Sequence, residues 1–436
     1  MQFYSTNNKD LRVPFQEAVF NSLPADKGLY MPEVIPTLDA YFLQNLHRYS
    51  FQEIAFTVAK ALIGADIPDT DLRRIINETI DFDAPVRPLD NGLAVLELFH
   101  GPSLAFKDFG ARFMSRVMGY FSDENSRVLD VLVATSGDTG GAVALGFLGV
   151  PGTRVTILYP KGKVSPIQEL QLTTNGQNIQ AIEIDGTFDD CQALVKEAFN
   201  DTELQSVFRL TSANSINISR LIPQTFYYFH AYAQLLAQGI QEVVFSVPSG
   251  NFGNIGAGLL AFKMGLPVQQ FVAATNVNDT VPRFLESGRY EPRPSVQTLA
   301  NAMDVGNPSN WVRIMDLFGG DLNALKQTVS SFTFTDADTR EAIRTLYDRY
   351  GYIACPHTAI AWLAAEAYRS AHAGHYATVF LSTAHPCKFP EVFSPEIAAK
   401  IAIPKQVNAL QDREKEVAGL GTDYEGFKAY LLQRES

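Results

Sequence analysis

One lysine of this chain sits where an amine can turn nucleophilic. It lies in the run His100-Gly101-Pro102-Ser103-Leu104-Ala105-Phe106-Lys107-Asp108-Phe109-Gly110, hemmed in by apolar and small residues. Burial disfavours an ammonium, so a lysine in such surroundings titrates low. An unprotonated amine is what Schiff-base formation with an aldehyde requires. Alone, the run also fits a commoner case, a core-edge lysine whose stem is covered while its head stays in solvent.

Three loops rich in Gly, Ser, Thr or Asn each follow a strand-like run, and in a parallel sheet such loops share one edge. The first is Ser136-Gly137-Asp138-Thr139-Gly140. Hydroxyls and free N–H groups at a helix start suit a carboxylate or phosphate; a plain helix cap reads the same way. The second is Gly250-Asn251-Phe252-Gly253-Asn254. Its glycines let backbone approach an anion, and its asparagines tolerate left-handed conformations. No Gly-Lys-Ser/Thr follows, so it is not a nucleoside-triphosphate loop. Glycines at 250, 253 and 256 lack the dinucleotide spacing. A phosphate cradle without a nucleotide remains, beside the alternative of a tight strand–helix turn. The third loop, Ser382-Thr383-Ala384-His385-Pro386, puts a hydroxyl at a strand end where it can meet a ring nitrogen, or is a simple turn.

Cations that could hold a substrate phosphate are Lys161, Lys163 and Arg220, the last following Asn214-Ser215-Ile216-Asn217. Any one of them is more often a solvated surface charge. Cys355-Pro356-His357 and His372-Ala373-Gly374-His375 lack a second ligand pair at metal-binding spacing, so no metal is expected. No Ser-His-Asp arrangement stands out.

The elements that must position these groups follow from pattern. The 436 residues, 46% hydrophobic and 19% charged, are enough for two or three domains. A net charge of −12 disfavours nucleic acid and anionic membranes as partners. Cys191, Cys355 and Cys387 are odd in number and far apart, which fits a reducing compartment. With no secretory leader pattern and no long apolar run, the cytoplasm is the expected location. Residues 1–90 read as mainly helical, with helices over 51–62 and 69–80. Short apolar runs at 128–134, 155–159, 179–184, 243–247, 268–274 and 377–381 read as buried strands. They alternate with helices over 142–148, 189–199, 224–238, 336–350 and 356–371. This alternation predicts an α/β fold with two parallel-sheet domains, 91–225 and 226–400, and a cofactor cleft between them. A charged helical tail over 401–436 completes the chain.

The ordered set His-Gly-Pro-Ser-Leu-Ala-Phe-Lys-Asp, Ser-Gly-Asp-Thr-Gly, Pro-Ser-Gly-Asn-Phe-Gly-Asn and Ser-Thr-Ala-His-Pro resembles the threonine synthases, pyridoxal-phosphate enzymes of the tryptophan-synthase-β fold type. Asp26-Lys27-Gly28-Leu29-Tyr30-Met31-Pro32 and Gly186-Thr187-Phe188-Asp189-Asp190-Cys191-Gln192 also resemble segments of that family. The resemblance implies that pyridoxal 5'-phosphate is held on Lys107 as a Schiff base, beside Phe106. It implies that Gly250, Asn251, Phe252, Gly253 and Asn254 wrap the cofactor phosphate and that Thr383 meets the pyridine nitrogen. Ser136, Gly137, Asp138 and Thr139 would line the substrate side. Asp138, which stands where some relatives carry asparagine, is also expected against the ring hydroxyl. Ser103, Asn214, Lys161, Lys163 and Arg220 would bind substrate. The implied substrate is O-phospho-L-homoserine, with L-threonine and phosphate as products, made by a monomer or homodimer. A phospho-lyase, a threonine or serine dehydratase, and a non-catalytic relative that binds the cofactor are the alternatives.

Overall fold

The computed structural model describes residues 1–122 and 127–433. Two sheets carry the fold. The larger has six strands in the spatial order Val329–Thr333, Gln270–Thr275, Val243–Pro248, Ala377–Ser382, Leu93–Glu97 and Val86–Asp90. All its pairings are parallel except the last, an antiparallel edge that accommodates Pro88. The smaller sheet is wholly parallel: Val417–Leu420, Ile179–Ile184, Thr153–Pro160, Leu129–Ala134 and Arg209–Ser212.

Strands Leu129–Ala134, Val243–Pro248, Gln270–Thr275 and Ala377–Ser382 are buried along their whole length. That is why they read as continuous apolar runs rather than alternating ones: helices cover both faces. Helix starts are set locally. Capping boxes open Phe51–Ile63 (Ser50 with Glu53), Pro166–Thr173 (Ser165 with Gln168), Phe188–Asn200 (Thr187 with Asp190) and Asp336–Tyr350 (Thr335 with Asp338). Pro356 opens Pro356–Ala371, where its missing N–H costs nothing.

Three features depart from the sequence-based expectation. The first 90 residues contain, besides helices, a three-stranded antiparallel sheet of Gln2–Ser5, Arg12–Pro14 and Tyr30–Pro32. Its strands are too short to show an alternation. The strand Leu93–Glu97 lies within the stretch assigned to the first sheet but pairs with Ala377–Ser382 of the larger one. The tail is not purely helical. Between Lys405–Gln411 and Tyr424–Leu432, the strand Val417–Leu420 adds to the smaller sheet beside Ile179–Ile184, and its pattern is half-exposed as suits an edge.

One core runs from the N-terminal elements through both sheets. Phe109, on the helix Lys107–Phe121, packs against Phe51, Phe82 and Tyr227. Helices Lys107–Phe121 and Asp138–Phe147 approach closely because Gly146 has no side chain. A Cβ there would stand 3.1 Å from the Ala111 carbonyl carbon. Ser115 Oγ fastens the crossing by donating to the Gly146 carbonyl at 2.6 Å. The helix that starts at Lys107 is thereby locked to the helix that starts at Asp138.

Candidate active site

The Lys107 loop is zipped to the segment after strand Ala377–Ser382. Phe106 N–H donates to the Thr383 carbonyl at 2.9 Å, His385 N–H donates to the Leu104 carbonyl at 3.0 Å, and Ala105 bridges Ala384. Lys107, the first residue of its helix, thus stands next to Thr383, at the carboxyl edge of the six-stranded sheet where ligands collect in α/β folds. Burial pushes its amine down to about 8; Asp138 opposes that shift, while Lys388 and Arg220 add to it. Asp108 beside it is fully buried and accepts from Ser103 N–H at 2.9 Å. Burial raises its carboxyl to about 6, against hydrogen bonds from Ser103 and the charges of Lys388 and Arg112.

The loop at 136–139 opens the second helix. Thr135 Oγ1 accepts from Gly137 N–H at 2.9 Å and Gly140 N–H at 2.8 Å, so a hydroxyl two residues ahead of the N-cap Gly137 closes the turn. The N–H groups of Ser136, Asp138 and Thr139 have no protein acceptor among the described residues. Gly137 adopts φ 129°, and a Cβ on it would collide with the Gln168 side chain at 2.4 Å. Gln168 Nε2 donates to Asp138 Oδ1 at 2.9 Å, and Lys388 Nζ pairs with the same oxygen at 2.7 Å. Burial alone would raise the Asp138 carboxyl. Lys388 and Lys107 outweigh it and hold the group well below the usual carboxylate range.

At 250–254 the chain leaves strand Val243–Pro248 and enters helix Gly253–Lys263 through Phe252 at φ 58°. The N–H groups of Gly250, Asn251, Phe252, Gly253 and Asn254 have no protein acceptor among the described residues. Gly250 is pressed against Asn301–Met303: a Cβ would lie 2.5 Å from Met303 Cα. Asn254 Oδ1 accepts from both Tyr227 and Tyr228 hydroxyls, at 2.6 and 2.7 Å, while its buried Nδ2 has no partner. Asn251 Nδ2 donates to Ser215 Oγ at 2.7 Å, and Asn251 Oδ1 accepts from Ser309 N–H at 2.6 Å. Buried Arg313 braces this junction through the Ile216 carbonyl at 2.6 Å and Asn310 Oδ1 at 2.7 Å.

The sequence-nominated residues therefore fall into two sets. Ser103, Phe106, Lys107, Asp138 and Thr383 are joined by the contacts above, and the loop at 250–254 is tied to the segment 214–217 through Ser215 rather than Asn214. Arg220 is buried and donates to the Ala213 carbonyl. Burial lowers its guanidinium to about 10, and its field reaches Lys107. Lys161 and Lys163 stand exposed past strand Thr153–Pro160, outside these contacts. Residues the sequence reading passed over are Lys388, Gln168, Tyr227 and Tyr228; His357 was weighed there only as a metal ligand. Burial pulls the His357 imidazole down to about 4, and its Nε2 accepts from Ala302 N–H at 3.2 Å. Lys388, in Cys387-Lys388-Phe389, repeats the pattern that singled out Lys107, a lysine among apolar neighbours, and was legible on the same ground.

Comparison with known proteins agrees with this geometry. The family described as "Pyridoxal-phosphate dependent enzyme" matches residues 84–384; "Threonine synthase N terminus" matches 2–80 and "Threonine synthase, C-terminal" matches 358–431. A threonine synthase of Serratia marcescens is 44% identical over 93% of both chains. The crystal structure of threonine synthase from Escherichia coli superposes with a TM-score of 0.91 at 41% identity, covering all of both chains. The pyridoxal-phosphate-bound threonine synthase from Brucella melitensis gives 0.92 at 36% identity over 99% of each.

The residues present fit that cofactor. The loop at 250–254 offers free N–H groups and the orphaned Asn254 Nδ2 to a phosphate, and Gly250 lets its backbone lie against Met303 where a Cβ would not fit. Lys107 offers a desolvated amine to an aldehyde. The chain belongs to the threonine synthase family of pyridoxal-phosphate-dependent enzymes.

Proposed function

We propose that this chain converts O-phospho-L-homoserine and water into L-threonine and inorganic phosphate. The observation that carries the reading is the Lys107 amine, lowered by burial to about 8 and placed beside Thr383 and Asp138. Bound through Lys107, pyridoxal 5'-phosphate supplies an electron sink for negative charge developing beside the substrate amine.

The chain's own residues do the rest. The N–H groups at 250–254 hold the cofactor phosphate, and Thr383 presents a hydroxyl to the ring nitrogen. That hydroxyl does not enforce a protonated ring as a carboxylate would. Free N–H groups at 136–139, with Ser103 beside them, receive the substrate carboxylate at the start of helix Asp138–Phe147. Once the substrate amine has taken its place, Lys107 is a base within reach of the Cα proton. A Cβ proton then passes to solvent, and the Cγ–O bond breaks with its electron pair leaving on the phosphate, which takes up the proton that the added water gives up. Water adds its oxygen at Cβ, Cγ gains a proton to become the methyl group, and Lys107 returns the Cα proton. For the substrate phosphate we assign Arg220, whose field acts on Lys107, ahead of Asn214 and the exposed Lys161 and Lys163. The three buried, unpaired cysteines favour a cytoplasmic setting, and we assign a monomer or homodimer.

The test gives purified enzyme O-phospho-L-homoserine and measures phosphate and amino acid together. Equal amounts of threonine and phosphate are expected, and Lys107→Ala should abolish both. Phosphate with 2-oxobutyrate and ammonia in place of threonine would reassign the chain as a lyase. Absence of phosphate release would overturn the substrate.

A further inference from the structure

Lys388 belongs to none of the sequence motifs, yet it is the most enclosed cation at the site, with no solvent exposure. It lies in the short turn Pro386–Lys388, 281 positions along the chain from Lys107. Its ammonium makes two contacts: the Asp138 carboxylate at 2.7 Å and the Ser103 carbonyl at 2.9 Å. Gln171 Nε2 reaches the same Ser103 carbonyl at 3.0 Å, and Gln168 Nε2 the same Asp138 oxygen at 2.9 Å. One ammonium thus joins the loop before Lys107, the loop at 136–139 and the turn after Thr383.

We propose that Lys388 is a positioning residue for Lys107: through Asp138 and the Ser103 carbonyl it fixes the three loops around the reactive amine and balances the carboxylate that the amine faces. A buried lysine costs free energy unless it is paired and hydrogen-bonded, so a fully enclosed one at a site of this kind needs such a role. The charged groups acting on Lys107 are Asp138, Lys388 and Arg220, while His357 nearby is held neutral by burial. Asp138 favours the protonated amine, and Lys388 opposes it. Removing Lys388 leaves Lys107 as the remaining cation acting on an uncompensated carboxylate, so Lys107 should keep its proton to higher pH. Removing both charges together should restore the balance.

This inference rests on the reading of Lys107 as the amine that takes up the cofactor, and the experiment separates the two. Cofactor-free full-length chain is mixed with pyridoxal 5'-phosphate over a range of pH, and the rate of visible-absorbance gain reports the unprotonated fraction of Lys107. Lys388→Met should move the pH midpoint of loading upward, and loading at neutral pH should slow about tenfold for every pH unit by which that midpoint rises. The double variant Asp138→Asn/Lys388→Met should return the midpoint to the wild-type position, and Lys388→Arg should hold it there. A merely structural Lys388 would lower stability and the amount of cofactor taken up without moving the pH midpoint of loading. If Lys388→Met does not fold, Asp138→Asn alone takes its place: with the carboxylate gone and Lys388 kept, the midpoint should fall below the wild-type position while the double variant stays at it. Equal midpoints in all variants, or a displacement in Lys388→Met that persists in the double variant, would overturn the proposal. Wild-type loading by Lys107→Ala would instead overturn the reading of the site itself.

Discussion

Replacing Gly250 by alanine asks whether the shape of the loop at 250–254 matters to the cofactor. A Cβ there would stand 2.5 Å from Met303 Cα and 2.9 Å from the Ala302 carbonyl oxygen. Ordinary carbon–carbon contact lies near 3.5–4.0 Å, so one of the two backbones must move by about 1 Å. The obstacle cannot swing aside like a side chain, because Ala302 is pinned by its N–H to His357 Nε2. Overpacking of this kind costs about 1–3 kcal/mol. The same displacement misdirects N–H donors away from the phosphate. A hydrogen bond to a charged group is worth about 1.5–3 kcal/mol, so the loss of one weakens cofactor affinity about 10- to 100-fold. Titrating cofactor-free chain with pyridoxal 5'-phosphate by absorbance, alongside thermal unfolding, reads both effects. Gly253→Ala is the control. Its Cβ meets first Asn310 Nδ2 at 3.3 Å, short of ordinary contact by only a few tenths of an ångström, so its loss of affinity should be smaller than that of Gly250→Ala. Wild-type affinity and melting temperature in Gly250→Ala would refute the cradle as drawn.

Two further outcomes follow from buried groups near the same loop. Tyr227 and Tyr228 share one acceptor, Asn254 Oδ1, so each single Phe substitution should be mild. The double variant should lose about 1–3 kcal/mol of stability and bind cofactor more weakly, because nothing then orients the Asn254 amide; strictly additive single effects in melting and titration would contradict a shared acceptor. His357 is a base held neutral, its folded value about 4 against an ordinary 6.5. Its contribution to stability is therefore present in full above about pH 6.5 and lost as pH falls towards 4. His357→Gln, which keeps an acceptor for Ala302 N–H, should flatten the acid limb of denaturant midpoints by up to about 3 kcal/mol; an unchanged slope between pH 4 and 7 would show that His357 is not the group responsible.

What the sequence disclosed and what it hid divide along physical lines. Strands such as Leu129–Ala134 and Val243–Pro248 were legible because burial on both faces writes a continuous apolar run. Helices Asp336–Tyr350 and Pro356–Ala371 were legible to the residue because a capping box and an initial proline mark their starts. Edge elements were not: Val329–Thr333 and Val417–Leu420 carry a half-exposed pattern that is too short to separate from loop. The pairing of Leu93–Glu97 with Ala377–Ser382 depends on contacts nearly three hundred residues apart, which no local pattern encodes. At the site, glycine-rich loops announced themselves because close backbone approach needs glycine, as Gly137 and Gly250 demonstrate. The groups that aim those loops did not, since Gln168, Tyr227 and Tyr228 act through side chains whose partners lie elsewhere in the chain. The acidic Asp138 shows the consequence most clearly. In sequence it is one acidic residue in a glycine-rich loop; in the fold it is half of a buried ion pair whose cation comes from the last turn of the site. An asparagine cannot be substituted there in thought without asking what becomes of Lys388, and that dependence is what the double substitution measures.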